Sequence, residues 1–129
     1  MSQENVEVVS RWLWAFENSE DIFRELTHPD IEWAPFEENH TVFHGIDGAM
    51  RIRHGWLEPW AEHNVRIEDL IDAGEQVVAV VHLTARGATS GAEVDVHLYG
   101  QFKVMDAKIV YFYEHEDRAE ALKAVGLEE

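Results

Sequence analysis

Lys108–Leu122 reads KIVYFYEHEDRAEAL. Ile109–Tyr113 is an unbroken run of β-branched and aromatic residues, the composition of a strand. The run then turns acidic through Glu114, His115, Glu116 and Asp117. Asp117 is placed to cap a short closing helix, DRAEALKAVGL, while the rest of EHED is a solvated strand end. The strand raises one question that the rest of the chain must answer: whether Tyr111, Tyr113 and His115, or Val110, Phe112 and Glu114, face the interior.

Upstream the hydrophobic period is also two. NVRIEDLIDAGEQVVAVVHLTARG, AEVDVHLYGQFKV and KIVYFYEHE are strand runs divided by the turn signals AGEQ, ATSG and MDAK, which predicts an antiparallel meander. A two-residue loop at Ser90–Gly91 pairs Thr89 with Ala92, and so Val81 with Gly100, Leu83 with Leu98 and Ala85 with Val96 on one apolar face. The other face then pairs Arg86 with Asp95, Thr84 with His97 and His82 with Tyr99, and the Arg86/Asp95 match supports that register. A two-residue loop at Asp106–Ala107 pairs Val104 with Ile109, Phe102 with Tyr111 and Gly100 with Tyr113, and brings His115 near Leu98. In this strict register Tyr111, Tyr113 and His115 face inward, and Val110, Phe112 and Glu114 lie outside. A single β-bulge exchanges the two sets.

The N-terminal third has helical spacing instead. Val6, Val9, Leu13 and Phe16, flanked by Val8, Trp12 and Ala15, predict an amphipathic helix over residues 5–16. Ser19 caps a second short helix carrying Ile22, Phe23 and Leu26, which His28–Pro29 should stop. DIEWAPF predicts a short strand, EENHTVFHG a loop, and GIDGAM the start of a third helix. Its inward set is Ala49, Ile52, Arg53, Trp56, Leu57 and Trp60, with Pro59 distorting the last turn. Three helices with a short strand among them, then a long sheet and a closing helix, make an α+β arrangement.

The 129 residues, 46% of them apolar, suffice for one domain over residues 1–129 with one core. With 26 acidic against 10 basic residues the net charge is −16, which repels nucleic acid and anionic lipid surfaces. The absence of cysteine removes disulfides, thiolate metal sites and cysteine nucleophiles. The opening MSQENVEVVS is polar and acidic, without the apolar core of a signal peptide. No apolar run approaches the roughly 18 residues of a membrane span. A soluble cytoplasmic protein is the expectation. Nucleotide-binding glycine loops, serine nucleophile motifs and HExxH pairs are absent from the sequence.

ENVEVVSRWLWAFENSEDIFRELTHPDIEW, FHGIDGAMRIRHGWLEPW and VMDAKIVYFYEHEDRAEALKAVGL together resemble the SnoaL-like branch of the nuclear transport factor 2-like superfamily, over essentially the whole chain. The resemblance implies a cone: a curved antiparallel sheet wrapped around the three N-terminal helices, with a short C-terminal helix and a cavity at the open end. It implies that Trp12, Phe16, Trp33, Phe36 and Trp56 line that cavity, with the mouth near EENHTVFHG. Members of this group include polyketide cyclases, ketosteroid isomerases, epoxide hydrolases, dehydratases and non-catalytic binding proteins, and many pair as dimers through the outer sheet face. Two positions depart from the pattern: Gly100 stands where a polar group is common, and Arg53 where an apolar side chain is usual. The isomerases' carboxylate would fall near Trp33 and Ala34, where no acid stands, so that mechanism is disfavoured.

Combined with the strict register, the resemblance adds Leu83, Leu98, Gly100, Phe102 and Tyr111 to the lining of a site for a small, apolar, ring-bearing molecule. An enzyme built this way needs no cofactor. His115 is its candidate acid or base, Tyr113, given space by Gly100, its hydrogen-bond donor, and Arg53 its anion stabiliser. The alternative is packing: tyrosines that fill space, with His115 and Arg53 paired to acids at the rim, in a binding or interaction domain without turnover. His40 and His44 are mouth-loop histidines that either reach a ligand or stay solvated. His82, His97 and Tyr99 suit a homodimer contact. No metal is expected there unless a third ligand converges on the two histidines.

Overall fold

The computed structural model describes residues 2–127. Helix α1 spans Ser2–Asn18 and α2 spans Glu20–Glu25, with Ser19 Oγ accepting from Ile22 N at 3.2 Å as the predicted N-cap. Strand β1 covers Thr27–Ala34, a 3-10 turn Phe36–Glu38, β2 Phe43–His44 and α3 Gly45–Leu57. The meander is β3 (Trp60–Ala73), β4 (Gln76–Gly87), β5 (Glu93–Met105) and β6 (Lys108–His115), closed by α4 (Arg118–Ala124). Asp117 Oδ1 accepts from Ala119 N at 2.8 Å, the predicted cap of α4. Trp60, expected at the end of the third helix, instead opens β3.

The six strands form one curved sheet in the order β2-β1-β6-β5-β4-β3. It is not wholly antiparallel, because β1 lies parallel to β6. Strand β1 starts at Thr27, before the proline expected to precede it. Pairing with β6 is irregular between Thr27 and Glu32, so Pro29, which has no N–H to give, sits where no ladder bond is needed.

The concave face carries Val77, Ala79, Val81, Phe102, Ile109 and Phe112, and packs against Val9, Trp12, Leu13 and Phe16 of α1 and Ala49 and Met50 of α3. Trp12 is fully buried at the centre, 4.9 Å from Phe23, 5.1 Å from Trp33 and 5.4 Å from Phe112 between ring centroids. Its indole N–H donates to Thr27 Oγ1 at 2.9 Å, satisfying the one polar atom such a ring carries into a core. On the convex face α4 covers Val78 with Ala121 and Leu122, and Tyr99 packs at the edge of that cluster. Tyr99 is therefore partly committed to its own chain.

Both inter-strand registers differ from the expectation, in different ways. In β4–β5, Val81 faces Leu98, Ala79 faces Gly100 and His82 faces His97. The loop holds four residues, with Gly87 N donating to Ala92 O at 2.8 Å, so the ladder is slipped by two and every side chain keeps its expected face. Arg86 faces Glu93 and bonds Glu62 Oε1 at 2.6 Å instead of Asp95. In a chain this acidic, several registers offer an arginine a carboxylate. In β5–β6, the two-residue turn at Asp106–Ala107 is as expected, with Val104 opposite Ile109. The ladder then shifts, so that Lys103 faces Tyr111, Phe102 faces Phe112 and Gly100 faces Glu114. Val110 is the extra residue of a β-bulge, and beyond it the faces exchange. This overturns the strict register: Phe112 and Glu114 point into the cone, and Tyr111, Tyr113 and His115 point out.

Candidate functional site

Between the sheet and the helices lies a cavity of about 320 Å³. Of the expected wall, Trp12, Phe16, Trp33, Trp56, Leu83, Leu98 and Gly100 line it. Phe112 and Glu114 join them through the bulge, and the exposed residues Glu37, Glu38, Arg51 and Gly55 mark the mouth beside the 3-10 turn. The expected mouth loop is thus in place.

Glu114 is the polar centre of this wall. It is buried, and among the described residues two N–H donors lie against its carboxylate. Trp33 Nε1 donates to Oε2 at 2.7 Å and Phe36 N donates to Oε1 at 3.2 Å. Burial in apolar surroundings pushes its carboxyl up to about 7, against the pull of those two donors, with Glu37 adding to the rise and His40 opposing it. Glu37 at the mouth is also held above the ordinary carboxylate range by burial and by Glu38. A carboxyl balanced near neutrality can accept or deliver a proton without leaving its rotamer, the property required of a general acid or base.

Glycine at 100 serves a purpose other than room for Tyr113. A Cβ there would stand 2.7 Å from ring atoms of both Phe102 and Phe112, which stack at 4.1 Å over the glycine. Phe102 thus lies behind the wall and not in it. Phe36 is half-buried outside the lining, and its backbone N–H, not its ring, serves the site.

The three residues expected to do chemistry do not meet in the cavity. Tyr113 lies on the convex side, stacked on His40 at 4.4 Å. His115 bonds Gln101 Oε1 through Nε2 at 3.0 Å and is held below the ordinary imidazole range chiefly by burial. Tyr111 lies beneath Lys103, whose Nζ is 4.9 Å from its ring centroid. Arg53 is buried between α1 and α2: its Nε donates to Phe16 O at 2.8 Å, and its guanidinium stands 5.7 Å from the Phe23 ring centroid and 3.7 Å from Glu20. It joins two helices and leaves the cavity to Arg51. Of the loop histidines, His40 Nε2 donates to the Glu114 carbonyl at 2.8 Å, fixing the strand end that carries the carboxyl, and His44 is exposed near Glu32. Glu114 was visible in sequence only as the alternative to the strict register, because nothing in IVYFY marks which residue bulges.

Two buried indole N–H groups, of Trp56 and Trp60, have no hydrogen-bond partner among the described residues. Trp56 belongs to the cavity wall. A buried donor without an acceptor is costly, by about 1–3 kcal/mol, and a ligand is one way to satisfy it.

Comparison with known proteins agrees with this architecture. The model of the SnoaL-like domain family matches residues 9–112. An NTF2-like protein of unknown function from Burkholderia pseudomallei K96243 superposes with a TM-score of 0.75 at 19% identity, covering 95% of this chain and 98% of that one. A protein described as a SnoaL-like polyketide cyclase, from Jannaschia sp. CCS1, gives 0.76 at 21%, covering 96% and 92%. An epoxide hydrolase of the LEH-like type from M. tuberculosis gives 0.75 at 16%, covering 96% and 90%. No curated protein matches the chain in sequence. At such identities the likeness carries the fold and not the reaction.

Proposed function

Since the chain belongs to the SnoaL-like domain family, whose model spans residues 9–112, we propose that it binds a small, mostly apolar, ring-bearing molecule in the cone and acts on it by cofactor-independent acid–base chemistry centred on Glu114. The observation that carries this reading is a buried carboxyl, pushed up to about 7, set in an aromatic cavity and held by Trp33 Nε1 and Phe36 N. At neutral pH both protonation states are populated. The ionised form takes a proton from an activated C–H or a water; the protonated form delivers one to a leaving or enolic oxygen. Isomerisation, cyclisation, dehydration and hydrolysis can each use such a group as acid or base. The largely apolar wall lowers the local dielectric, so each hydrogen bond to developing charge is stronger than in bulk. A volume of about 320 Å³ lies at the low end for small-molecule sites, which run from about 300 to 1,000 Å³.

A second reading is binding without turnover. It is favoured by one feature: both Glu114 oxygens already have donors, so the carboxyl is satisfied with no ligand present. A thermal-shift screen of ring-bearing compounds against wild type and Glu114→Gln, followed by mass-spectrometric product analysis of each hit, separates the two. Chemistry at Glu114 gives turnover in wild type and none in the variant, with binding retained in both. Equal turnover in both forms would refute the role of Glu114. Binding without product in either form supports the second reading.

A further inference from the structure

The outer face of the sheet holds a cluster that plays no part in the cavity. His82 of β4 and His97 of β5 are direct cross-strand partners, and their rings lie parallel, 4.3 Å apart with an interplanar angle of 6°. Glu68 is the extra residue of a second β-bulge, in β3, between Ile67 opposite Val81 and Asp69 opposite Val80. Bulges re-aim side chains, and this one lays the Glu68 carboxylate across the histidine pair. Its Oε1 is 3.0 Å from His97 Nε2, and its Oε2 is 3.9 Å from His82 Nδ1. One ligand atom from each of the three lies within 4.8 Å of the other two. The third ligand, which the sequence left open, is present.

A fourth residue fits the pattern. His82 Nε2 lies 2.6 Å from Asp95 Oδ1. When Nε2 donates to that carboxylate, the neutral ring presents its lone pair at Nδ1, the nitrogen nearer Glu68. Carboxylates commonly hold the far nitrogen of a metal-binding histidine in this way.

We propose that Glu68, His82 and His97 bind one divalent first-row transition-metal ion per chain, with Asp95 orienting His82. Two imidazoles and a carboxylate are a mixed nitrogen and oxygen set, suited to zinc, nickel, cobalt or copper more than to magnesium or calcium. Bonds of about 2.0–2.1 Å in tetrahedral geometry require ligand atoms roughly 3.4 Å apart. The ligand atoms stand within 4.8 Å of one another, so an ion must draw them closer, and the two stacked imidazoles, whose lone pairs lie in near-parallel ring planes, must tilt toward it. Arg66 marks the position. Its Nη2 is 3.1 Å from Glu68 Oε2 and 3.2 Å from His82 Nδ1, so positive charge already sits between two of the ligands. The Arg66 side chain is 63% exposed and free to swing out when an ion enters. The net charge of −16 draws cations to the surface.

Calorimetric titration of the full chain with zinc chloride at pH 7.5, after chelator treatment, tests this. Wild type should take up one ion per chain. His97→Ala and Glu68→Gln should each weaken binding at least about tenfold, and Asp95→Asn should weaken it less than loss of a ligand. Arg66→Gln should bind tighter than wild type, since the competing cation is gone. Cobalt substitution gives a second readout, a visible absorption band in wild type that is lost in His97→Ala. These are surface side chains, so circular dichroism should be unchanged. Equal affinity in wild type and His97→Ala would assign the ion to other histidines and overturn the site. Unchanged or weaker binding in Arg66→Gln would overturn the position assigned to the ion. One ion per two chains, with a doubled sedimentation mass, would overturn a site formed within one chain.

Discussion

Replacing Glu114 by glutamine makes the pH dependence of folding readable at a single side chain. The folded protein holds this carboxyl at about 7, whereas the ordinary value is 4.5. Between those two values the folded state keeps a proton that the unfolded chain has released. The folded state therefore binds more protons, and the contribution of Glu114 to stability falls as pH rises from about 4.5 to about 7, then stays constant. That rise corresponds to about 3 kcal/mol in all, most of which falls between pH 5 and 8. Glutamine does not titrate. It keeps one carbonyl acceptor for Trp33 or Phe36 and loses the other, a pH-independent cost of about 1 kcal/mol. Urea unfolding of both proteins at several pH values, with the two stabilities subtracted, cancels the other titrating groups. Wild type should be the more stable at pH 5, and its advantage should shrink by about 2–3 kcal/mol and change sign before pH 8. A difference that stays flat across this range would refute a proton held at Glu114, and with it the acid–base reading of the cavity.

Other perturbations address the frame around the site. Gly100→Ala places a methyl group 2.7 Å from the stacked Phe102 and Phe112 rings, and should cost about 1–3 kcal/mol in urea unfolding. Ala107→Gly should stabilise by about 0.5–1 kcal/mol, because Ala107 holds a φ of 59° in the β5–β6 turn, where a Cβ is strained; a lower melting temperature would contradict this.

The features legible in sequence were those governed by local chemistry. Ser19 and Asp117 cap because their oxygens reach N–H groups two or three residues on, whatever the tertiary context. The two-residue turn at Asp106–Ala107 and the inward faces of β4 and β5 follow from alternation, which survived a slip of two. What was not legible depended on contacts distant in sequence. The bulge at Val110 lies in a run of five apolar and aromatic residues, so no polar alternation marks where the phase changes. Trp33 and Glu114 are 81 residues apart, and their bond exists only because β1 lies parallel to β6. Arg53 was read as a free cation for an anion, whereas the carbonyl of Phe16 claims its Nε. The pairing of Arg86 misled for a compositional reason: acids stand at 62, 93 and 95, so a charge match identified no single register.

The extra residue in β6 sets the phase of the strand. Ahead of Val110 an odd-numbered residue, Ile109, faces inward; behind it the even-numbered Phe112 and Glu114 do. A regular strand of this sequence would have to choose between anchoring Ile109 in the core and delivering a carboxyl to the cavity. This strand does both, and so its tolerance to changes in length is uneven. Between Ile109 and Phe112 a residue can be lost and the inward set kept, whereas one added between Phe112 and Glu114 would turn the carboxyl out of the cone.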